Sequence, residues 1–399
     1  MDLQLWYLLA LPLLFFFGWW ARGYDAKVRN TDPAAAPNSL SRGLNLLLND
    51  HPDEAIGAFV EIAQLDPGTI ELHYALGKLF RQRGEFDRAV RVHSHLLGRA
   101  DLPAAERERA LSELAQDYLK GGMIDRAEAS YRELLEIPSH RIEVLRALLR
   151  VYSMGRDFER AIECARALET EAGESHRVAI AHFSCELAER AAAAGDTARA
   201  ATLIEQALAA QKTSARARIL AGDLAERAGD RAGAVRNWSL VAVDSPGYLP
   251  LVADRYSVAL DKEGRRADAL DLLRRQMREH PSVDLLEAAA KRVLEWEGPA
   301  AAESLLREEL QRHPSLLGFE RLLALRAASN PGDGVLDTLR SLLGSQSRRL
   351  ARYRCSQCGL RIRTFAWQCP GCAGWETYAP RRIEEIEAWF EDAANAPPR

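Results

Sequence analysis

Four cysteines near the end of the chain are the residues best suited to chemistry. They form two C-x-x-C pairs, Cys355 with Cys358 and Cys369 with Cys372, and ten residues separate the two pairs. A C-x-x-C loop can bring both of its sulfurs to one metal ion, so two such loops at this distance supply four thiolates for a tetrahedral site. The clustering therefore predicts a site for one metal ion and not a disulfide framework.

The ligand type alone leaves the metal open, because tetrahedral sulfur suits either zinc or a single iron. The segments "CSQCG" and "CPGCAGW" resemble the two knuckles of rubredoxin-like modules, and this resemblance favours iron over zinc. Gly359 and Gly371 are expected to permit the tight turns of the two loops. The aromatic residues expected to form the small core of the module are Tyr353, Phe365, Trp367, Trp375 and Tyr378.

A run of basic residues accompanies the cysteines, with seven arginines from Arg340 to Arg363 and no acid between them. Four thiolates around a divalent ion carry a formal net charge of about -2, so neighbouring arginines would offset the field of the site. A nucleic-acid partner is the other interpretation of such a run. The formal net charge of -4 for the whole chain and the predicted membrane anchor argue against it.

The N-terminal segment predicts a membrane anchor over residues 1–21. Leu3 to Trp20 contains one Gln among apolar residues, and a helix of that length spans roughly 27 Å. Because Arg22, Lys27 and Arg29 follow the span, the positive-inside rule places the N-terminus in the periplasm and the remaining chain in the cytoplasm. A cleaved secretory signal is the competing interpretation, but a basic n-region and a convincing cleavage site are missing.

The body of the chain repeats with the 34-residue tetratricopeptide period. Gly43, Ala55 and Pro67 are followed 34 residues later by Gly77 and Ala89, with Asp101 in the proline slot. A Gly placed five residues before a small Ala then recurs as Gly122 and Ala127, Gly195 and Ala200, Gly229 and Ala234, and Gly264 and Ala269, while Ala161 and Ala302 continue the series. Residues 39–345 are therefore predicted to form about eight to nine helix pairs.

The residue types at these positions have physical reasons. A small Ala lets the two helices of a repeat approach closely, and Pro246, Pro281 and Pro314 are expected to stop the second helix of their repeats. Two gaps in the alanine series are longer than the rest, one ending at Ala127 and one ending at Ala200. The additional residues are predicted to lengthen a helix or a loop.

Such an array predicts binding and not catalysis, since stacked helix pairs present a concave surface suited to a peptide or a partner domain. The sequence has no phosphate-binding glycine loop between a strand and a helix, so we do not expect an enzyme. The histidines are expected to be surface or packing residues; His93 and His95, two apart on a helix, should point to different faces. Cys164 and Cys185 are expected to be small buried hydrophobes.

The whole chain is identified as a member of the lipopolysaccharide assembly protein B family. The order of its parts, a membrane span followed by a tetratricopeptide array and a rubredoxin-like module, resembles that family. Three segments also resemble the family: "LGKLFRQRGEFDRAVRVHSHLL", "AHFSCELA" and "RYRCSQCG...WQCPGCAGWET". The resemblance implies an inner-membrane adaptor that regulates lipopolysaccharide synthesis by helping a membrane-bound ATP-dependent metalloprotease degrade the lipid A deacetylase, alongside other lipopolysaccharide assembly proteins. It also implies that Cys355, Cys358, Cys369 and Cys372 are the metal ligands.

The sequence thus predicts an all-α chain with a small metal module. The predicted parts are an anchor at 1–21, a linker at 22–38, the tetratricopeptide array at 39–345, a rubredoxin-like module at 350–380, and a short acidic helix with a frayed tail at 381–399. Two other functions remain open. A general membrane-tethered scaffold would keep the array for another client, and an electron carrier would use the metal as a redox iron.

Overall fold

The computed structural model describes Glu54 and residues 70–329, 334–350 and 353–382. The predicted anchor at 1–21, the linker at 22–38 and the first predicted repeat around Gly43 lie outside these residues, apart from Glu54. Among the helices that the structure describes, none combines the length and the apolar character that a bilayer crossing requires.

The chain divides into two compact units, Met1–Gly155 and Arg156–Arg399. The described part of the first unit is helical. Its helices are α1 (Ile70–Gln82), α2 (Phe86–Leu97), α3 (Ala104–Lys120), α4 (Ile124–Leu135) and α5 (Arg141–Gly155), with a short 3-10 helix at Pro138–His140. Within this unit α1 packs against α2 and α3 against α4. The turns between these partners are short, so the paired helices run antiparallel.

The second unit continues the helix pairs and ends in the cysteine module. Its helices are α6 (Phe158–Ala172), α7 (Arg177–Ala193), α8 (Thr197–Ala210), α9 (Ala215–Arg227), α10 (Arg231–Asp244), α11 (Ala253–Lys262), α12 (Arg266–Glu279), α13 (Val283–Trp296), α14 (Pro299–Arg312), α15 (Leu316–Ser329) and α16 (Gly334–Leu350). A 3-10 helix at Pro246–Leu251 joins α10 to α11, and two short strands, β1 (Tyr353–Arg354) and β2 (Arg361–Ile362), begin the module. The all-α architecture with a small C-terminal module is confirmed.

The predicted small residues lie at the helix crossings. The described alanines of the series are all almost completely buried: Ala89, Ala127, Ala161, Ala200, Ala234, Ala269 and Ala302. A larger side chain at these points would force the two helices apart, because protein interiors are close-packed. The 34-residue pattern therefore reports where helices touch.

The predicted helix ends also agree with the structure. Pro246, Pro281 and Pro314 each stand two residues beyond the last residue of a helix, after Asp244, Glu279 and Arg312. Several helices of the second unit begin at a side chain that accepts a backbone N–H of the first turn: Asp157, Asp196, Ser214, Asp230 and Ser282. Such caps satisfy donors that the first turn leaves without a partner in the helix.

The two long gaps in the alanine series lengthen helices. Both α3 and α7 have 17 residues, whereas α1 and α9, in equivalent positions of their repeats, have 13 each. The additional turn in each case adds about 5.4 Å of helix. In the second unit this longer helix, α7, carries the surface on which the cysteine module lies.

A buried polar group fixes the packing of the first unit. His93 on α2 is fully buried and donates from Nδ1 to Asp117 Oδ2 at 2.5 Å, while Arg81 Nη1 donates to Asp117 Oδ1 at 2.8 Å. A buried carboxylate needs such partners, because leaving it without them costs several kcal/mol. His95 is exposed and stacks on His73. The prediction that His93 and His95 point to different faces is confirmed.

We expect Gly222→Ala to destabilise the second unit by about 1–3 kcal/mol, because overpacking a well-filled contact has a cost of this size. A Cβ at Gly222 would overlap the indole ring of Trp238, which is 1% exposed and so has little room to move. The matched control is Gly247→Ala, where a Cβ meets nothing within 4 Å. Thermal unfolding followed by circular dichroism should show a lower midpoint for the first variant only. Equal midpoints would contradict the packing argument.

Candidate metal centre

The cysteine module is built from two short hairpins. β1 pairs antiparallel with β2, with Tyr353 opposite Ile362 and Arg354 opposite Arg361. The loop between these strands carries the first cysteine pair, and Gly359 takes a φ of 72° there, in the left-handed region that favours glycine. The second pair lies between Gln368 and Trp375, which form an isolated antiparallel bridge.

The four sulfur atoms come together at one point. All four Sγ atoms lie within 4.8 Å of one another, with 3.7 Å from Cys355 to Cys372 and 3.6 Å from Cys358 to Cys369. A tetrahedral zinc site with metal–sulfur bonds of about 2.3 Å has sulfur atoms about 3.8 Å apart. The observed distances therefore fit one ion held by four thiolates. Cys355 and Cys369 are buried, whereas Cys358 and Cys372 are exposed.

Backbone and side-chain hydrogen bonds prepare the buried sulfurs for negative charge. Cys358 N–H donates to Cys355 Sγ at 3.5 Å, and Gly371 N–H donates to Cys369 Sγ at 3.4 Å. Burial by itself would raise the pKa of the Cys355 thiol, but hydrogen bonds from Thr377 and from backbone N–H groups outweigh it and lower this pKa to about 6. The thiolate is the form that binds a metal ion, so a lowered pKa favours binding.

The second loop has limited space at its glycine. At Gly371 a Cβ would lie 3.0 Å from Leu360 Cδ2, so the end of that side chain would have to shift, while Cys358 Sγ would stay at an ordinary contact distance of 3.6 Å. Gly359 is favoured by its backbone conformation and Gly371 by the close approach of Leu360. The two glycines are thus favoured for two different reasons.

The aromatic residues of the module divide into two groups. Tyr353 and Tyr378 pack with Cys355 and Cys369 in the core of the module, with Phe365 against them. Trp367 meets Phe365 of the module edge-on, with ring centroids 5.0 Å apart, and also stacks on Tyr248 of the array, whereas Trp375 stacks on His182 of the array. The expectation that all five aromatics fill the module is therefore wrong for Trp375 and holds only in part for Trp367.

The module lies on a surface of the helical array, here called the docking face, which consists of His182, Phe183, Arg216 and Tyr248. His182 stacks on Trp375 with ring centroids 4.5 Å apart and planes 11° apart, and Phe183 meets the same indole edge-on at 5.8 Å. His182 Nε2 lies 3.0 Å from Glu376 Oε1. The ring is fully buried, so this hydrogen bond satisfies a polar atom that water cannot reach.

The second tryptophan docks beside the first. Trp367 stacks on Tyr248 with centroids 5.2 Å apart, and the guanidinium of Arg216 lies 5.8 Å from the Trp367 ring. Arg216 is itself buried and donates to Glu186 at 2.8 Å and to Glu189 at 3.0 Å. These ion pairs compensate the buried guanidinium and hold α7 against α9 beneath the module.

A final contact fixes the end of the described chain. Arg382 donates to Asp284 at 2.6 Å and to Glu287 at 3.2 Å, both on α13. The carboxylates of these residues raise the pKa of Arg382, although burial acts in the opposite direction. The chain therefore contacts the array at two places, within the module and directly after it at Arg382.

Comparison with known proteins gives the family. Residues 353–380 match the rubredoxin metal binding domain, and residues 72–108 match the tetratricopeptide repeat. The chain is 34% identical to lipopolysaccharide assembly protein B of Escherichia coli strain K12, over 94% of this chain and 97% of that protein. The chain belongs to the lipopolysaccharide assembly protein B family. The family's protein from Haemophilus influenzae is 29% identical over 94% of this chain and 98% of its own.

In this family member the structure brings the four predicted ligands, Cys355, Cys358, Cys369 and Cys372, together. Their role as metal ligands remains a prediction. Cys164 and Cys185 are buried apart from them, as predicted, and burial raises the pKa of their thiols to about 11 and about 12. Arg340 contacts Asp337 at 3.7 Å, and Arg354 is exposed on β1. The role of the arginines in offsetting the thiolate field also stays a prediction.

Sequence reasoning missed the docking face. His182 was expected to be a surface or packing residue, and its contact with the module could not be read from repeat spacing. A signal was present in α7, because the six residues from Ile180 to Cys185 are all buried. Six consecutive helical residues point in every direction, so α7 must be covered on more than one side. In this family member the second cover is the metal module.

The docking contact of this family member should weaken in acid. Burial lowers the pKa of His182 despite the hydrogen bond to Glu376, and the charge of Arg216 acts in the same direction as burial. A released His182 takes up a proton as the pH falls through its ordinary value of about 6.5, whereas the docked ring stays neutral, so docking loses at most about 1.4 kcal/mol per pH unit below that value. The contribution is fully present at higher pH.

Hydrogen exchange of residues 367–377 at pH 7.5, 6.5 and 5.5, corrected for intrinsic exchange, measures this effect. His182→Gln is the matched variant, since an amide can still donate to Glu376 but does not titrate. We expect weaker docking at pH 7.5 and a flatter pH dependence in His182→Gln. The same acid response in both proteins would show that another group is responsible.

Proposed function

We propose that this protein is a membrane-tethered adaptor that regulates lipopolysaccharide (lipid A) synthesis. The observation that carries the proposal is the match to proteins named lipopolysaccharide assembly protein B over 94% of the chain. The structure supports a binding role, because tetratricopeptide helix pairs present surfaces for partner segments. We assign no catalytic residue.

The proposed mechanism is to raise a local concentration. By the family resemblance, the partners are a membrane-bound ATP-dependent metalloprotease and the lipid A deacetylase, which the protein would bring together so that the deacetylase is degraded; other lipopolysaccharide assembly proteins are further partners. Confining a soluble client beside a membrane protease raises their encounter rate without new chemistry. In this proposal residues 1–21 anchor the chain in the inner membrane with the N-terminus in the periplasm, and the array and module face the cytoplasm.

We further propose that Cys355, Cys358, Cys369 and Cys372 hold one metal ion. Iron is favoured by the rubredoxin resemblance and zinc is the alternative, since the sulfur geometry suits both. The bound ion would join the two hairpins of a module too small to be stable through its own core. Trp375 and Glu376 follow Cys372 by three and four residues, so the order of the second hairpin decides whether they meet the docking face.

An electron-carrier function is the second candidate. Its support is that Cys358 and Cys372 are exposed, which would give an electron-transfer partner a short path to a bound iron. This function predicts a red protein that bleaches reversibly on reduction. A general scaffold with another membrane client is the third candidate, and recovery of its client from solubilised membranes would distinguish it.

Purified protein should contain about one equivalent of iron or zinc, and Cys355→Ser should lower this content because three thiolates leave an open coordination position. Cys164→Ala is the matched control, since Cys164 is a buried helical thiol apart from the cluster. Elemental analysis of the three proteins provides the measurement. Full metal content in Cys355→Ser would refute the ligand assignment.

Deleting residues 1–21 should slow degradation of the lipid A deacetylase while leaving a folded, metal-loaded protein, because the client would no longer be confined at the membrane. The deacetylase half-life, followed by blotting after translation is stopped, should increase severalfold. Replacing the segment by an unrelated span of the same orientation is the control and should restore much of the activity. If the deacetylase half-life is unchanged in cells that lack the whole protein, the adaptor proposal is wrong.

A further inference from the structure

The last helix of the array leaves an apolar strip exposed. Leu339 and Leu342 on α16 are 44% and 60% exposed, and three residues apart they lie on one face of the helix. The opposite side of α16 packs against α15, with Gly344 buried. Two neighbouring exposed leucines on a regular helix indicate a surface that something covers.

The sequence that follows the described module has the complementary pattern. In "IEEIEAWFEDAANA", from Ile383 to Ala396, the apolar residues Ile383, Ile386, Trp389 and Phe390 recur at helical spacing. The acids Glu384, Glu385, Glu387, Glu391 and Asp392 occupy the other positions. Such a helix has one apolar stripe, and in water a helix this short needs a surface on which to bury it.

The described contacts show where this segment starts. Arg382 is held by Asp284 and Glu287 on α13, and the charges of Asp284 and Arg382 both act on the Tyr353 hydroxyl. Tyr353 follows Leu350, the last residue of α16, by three residues. The segment therefore begins close to the C-terminal end of α16.

Length and charge select an antiparallel placement. Twelve residues from Ile383 form a helix of about 18 Å, and the stretch of α16 from Leu350 back to Leu339 is about as long. In that register Glu384 would lie level with Arg349 and Glu385 with Arg348, while Glu391 and Asp392 would lie within two residues of Arg340. The sequence of α16 after Asp337 contains these arginines and no acid. Opposite charges would thus face each other at both ends.

We propose that residues 383–394 form a helix that lies antiparallel along α16 and covers Leu342 and Leu339 with Trp389 and Phe390. The occupant of this face is a segment of the same chain. The inference does not rest on the adaptor function, because it concerns only how the array ends. An amphipathic C-terminal segment is a natural cap for a helical array, whose last helix has no further repeat to cover it.

Hydrogen exchange of the full-length chain in nanodiscs tests the proposal. Peptides covering residues 384–392 should exchange about tenfold or more slowly than an unstructured chain. Leu339→Glu combined with Leu342→Glu should abolish this protection, and Val243→Glu, which changes an exposed apolar residue of α10, should leave it intact. Trp389→Ser combined with Phe390→Ser should also abolish it without touching the described helices.

The reciprocal experiment removes the segment. A chain ending at Arg382 should show faster exchange in the second half of α16, whereas a chain that lacks only residues 395–399 should match the full-length protein. Tail peptides without protection would overturn the proposal. So would protection that disappears on dilution, which indicates a second copy, or protection of α16 that persists in the truncated chain and requires anionic lipid, which indicates the membrane surface.

Discussion

The stack of His182 on Trp375 is the central contact between the metal module and the helices of the second unit. It places a neutral, buried imidazole against an indole with near-parallel planes, and its Nε2 reaches the carboxylate of Glu376. Aromatic contacts of this kind contribute about 0.5–1.5 kcal/mol beyond their buried area. The hydrogen bond adds specificity more than strength, because breaking it would leave a polar atom without water or partner. Together with the stack of Trp367 on Tyr248, the pair determines how the module lies on the array.

The residues that make this contact are close in sequence to the cysteines of the metal site, so the contact connects that site to the helical array. Trp375 lies three residues after Cys372, and the bridge between Gln368 and Trp375 closes the hairpin that carries Cys369 and Cys372. A change at Cys369 or Cys372 would reach the docking face through this hairpin, without a long network of intermediates. On the array side, the ion pairs of Arg216 with Glu186 and Glu189 keep α7 and α9 in register under the module. Both sides of the contact are thus held by interactions of their own.

The parts that could be predicted from sequence are those with a local cause. Ala200 and Ala234 mark helix crossings because a small side chain is needed at each repeat, and Pro281 stops a helix through its own ring. Cys355 and Cys358 are three residues apart, so their common site is fixed by one loop. The docking contact has no such signature, since His182 and Glu376 are separated by 194 residues. Repeat spacing says nothing about which surface a distant module will cover.

Trp375, which was expected in the core of the module, also shows that sequence spacing does not identify long-range contacts. Tyr378 and Trp375 are three residues apart and equally aromatic, yet one packs on Cys369 and the other on His182. Composition predicts that both are buried, but burial within the module and burial against the array satisfy that requirement equally well. In this small module the core consists of two tyrosines and two cysteines, with Ile362 and Phe365 against them. Trp375 lies outside that core and is covered by α7, which is the longer helix of its repeat and is buried on more than one side. The contact between Trp375 and α7 therefore buries an aromatic ring of the module and an apolar face of the helix at the same time.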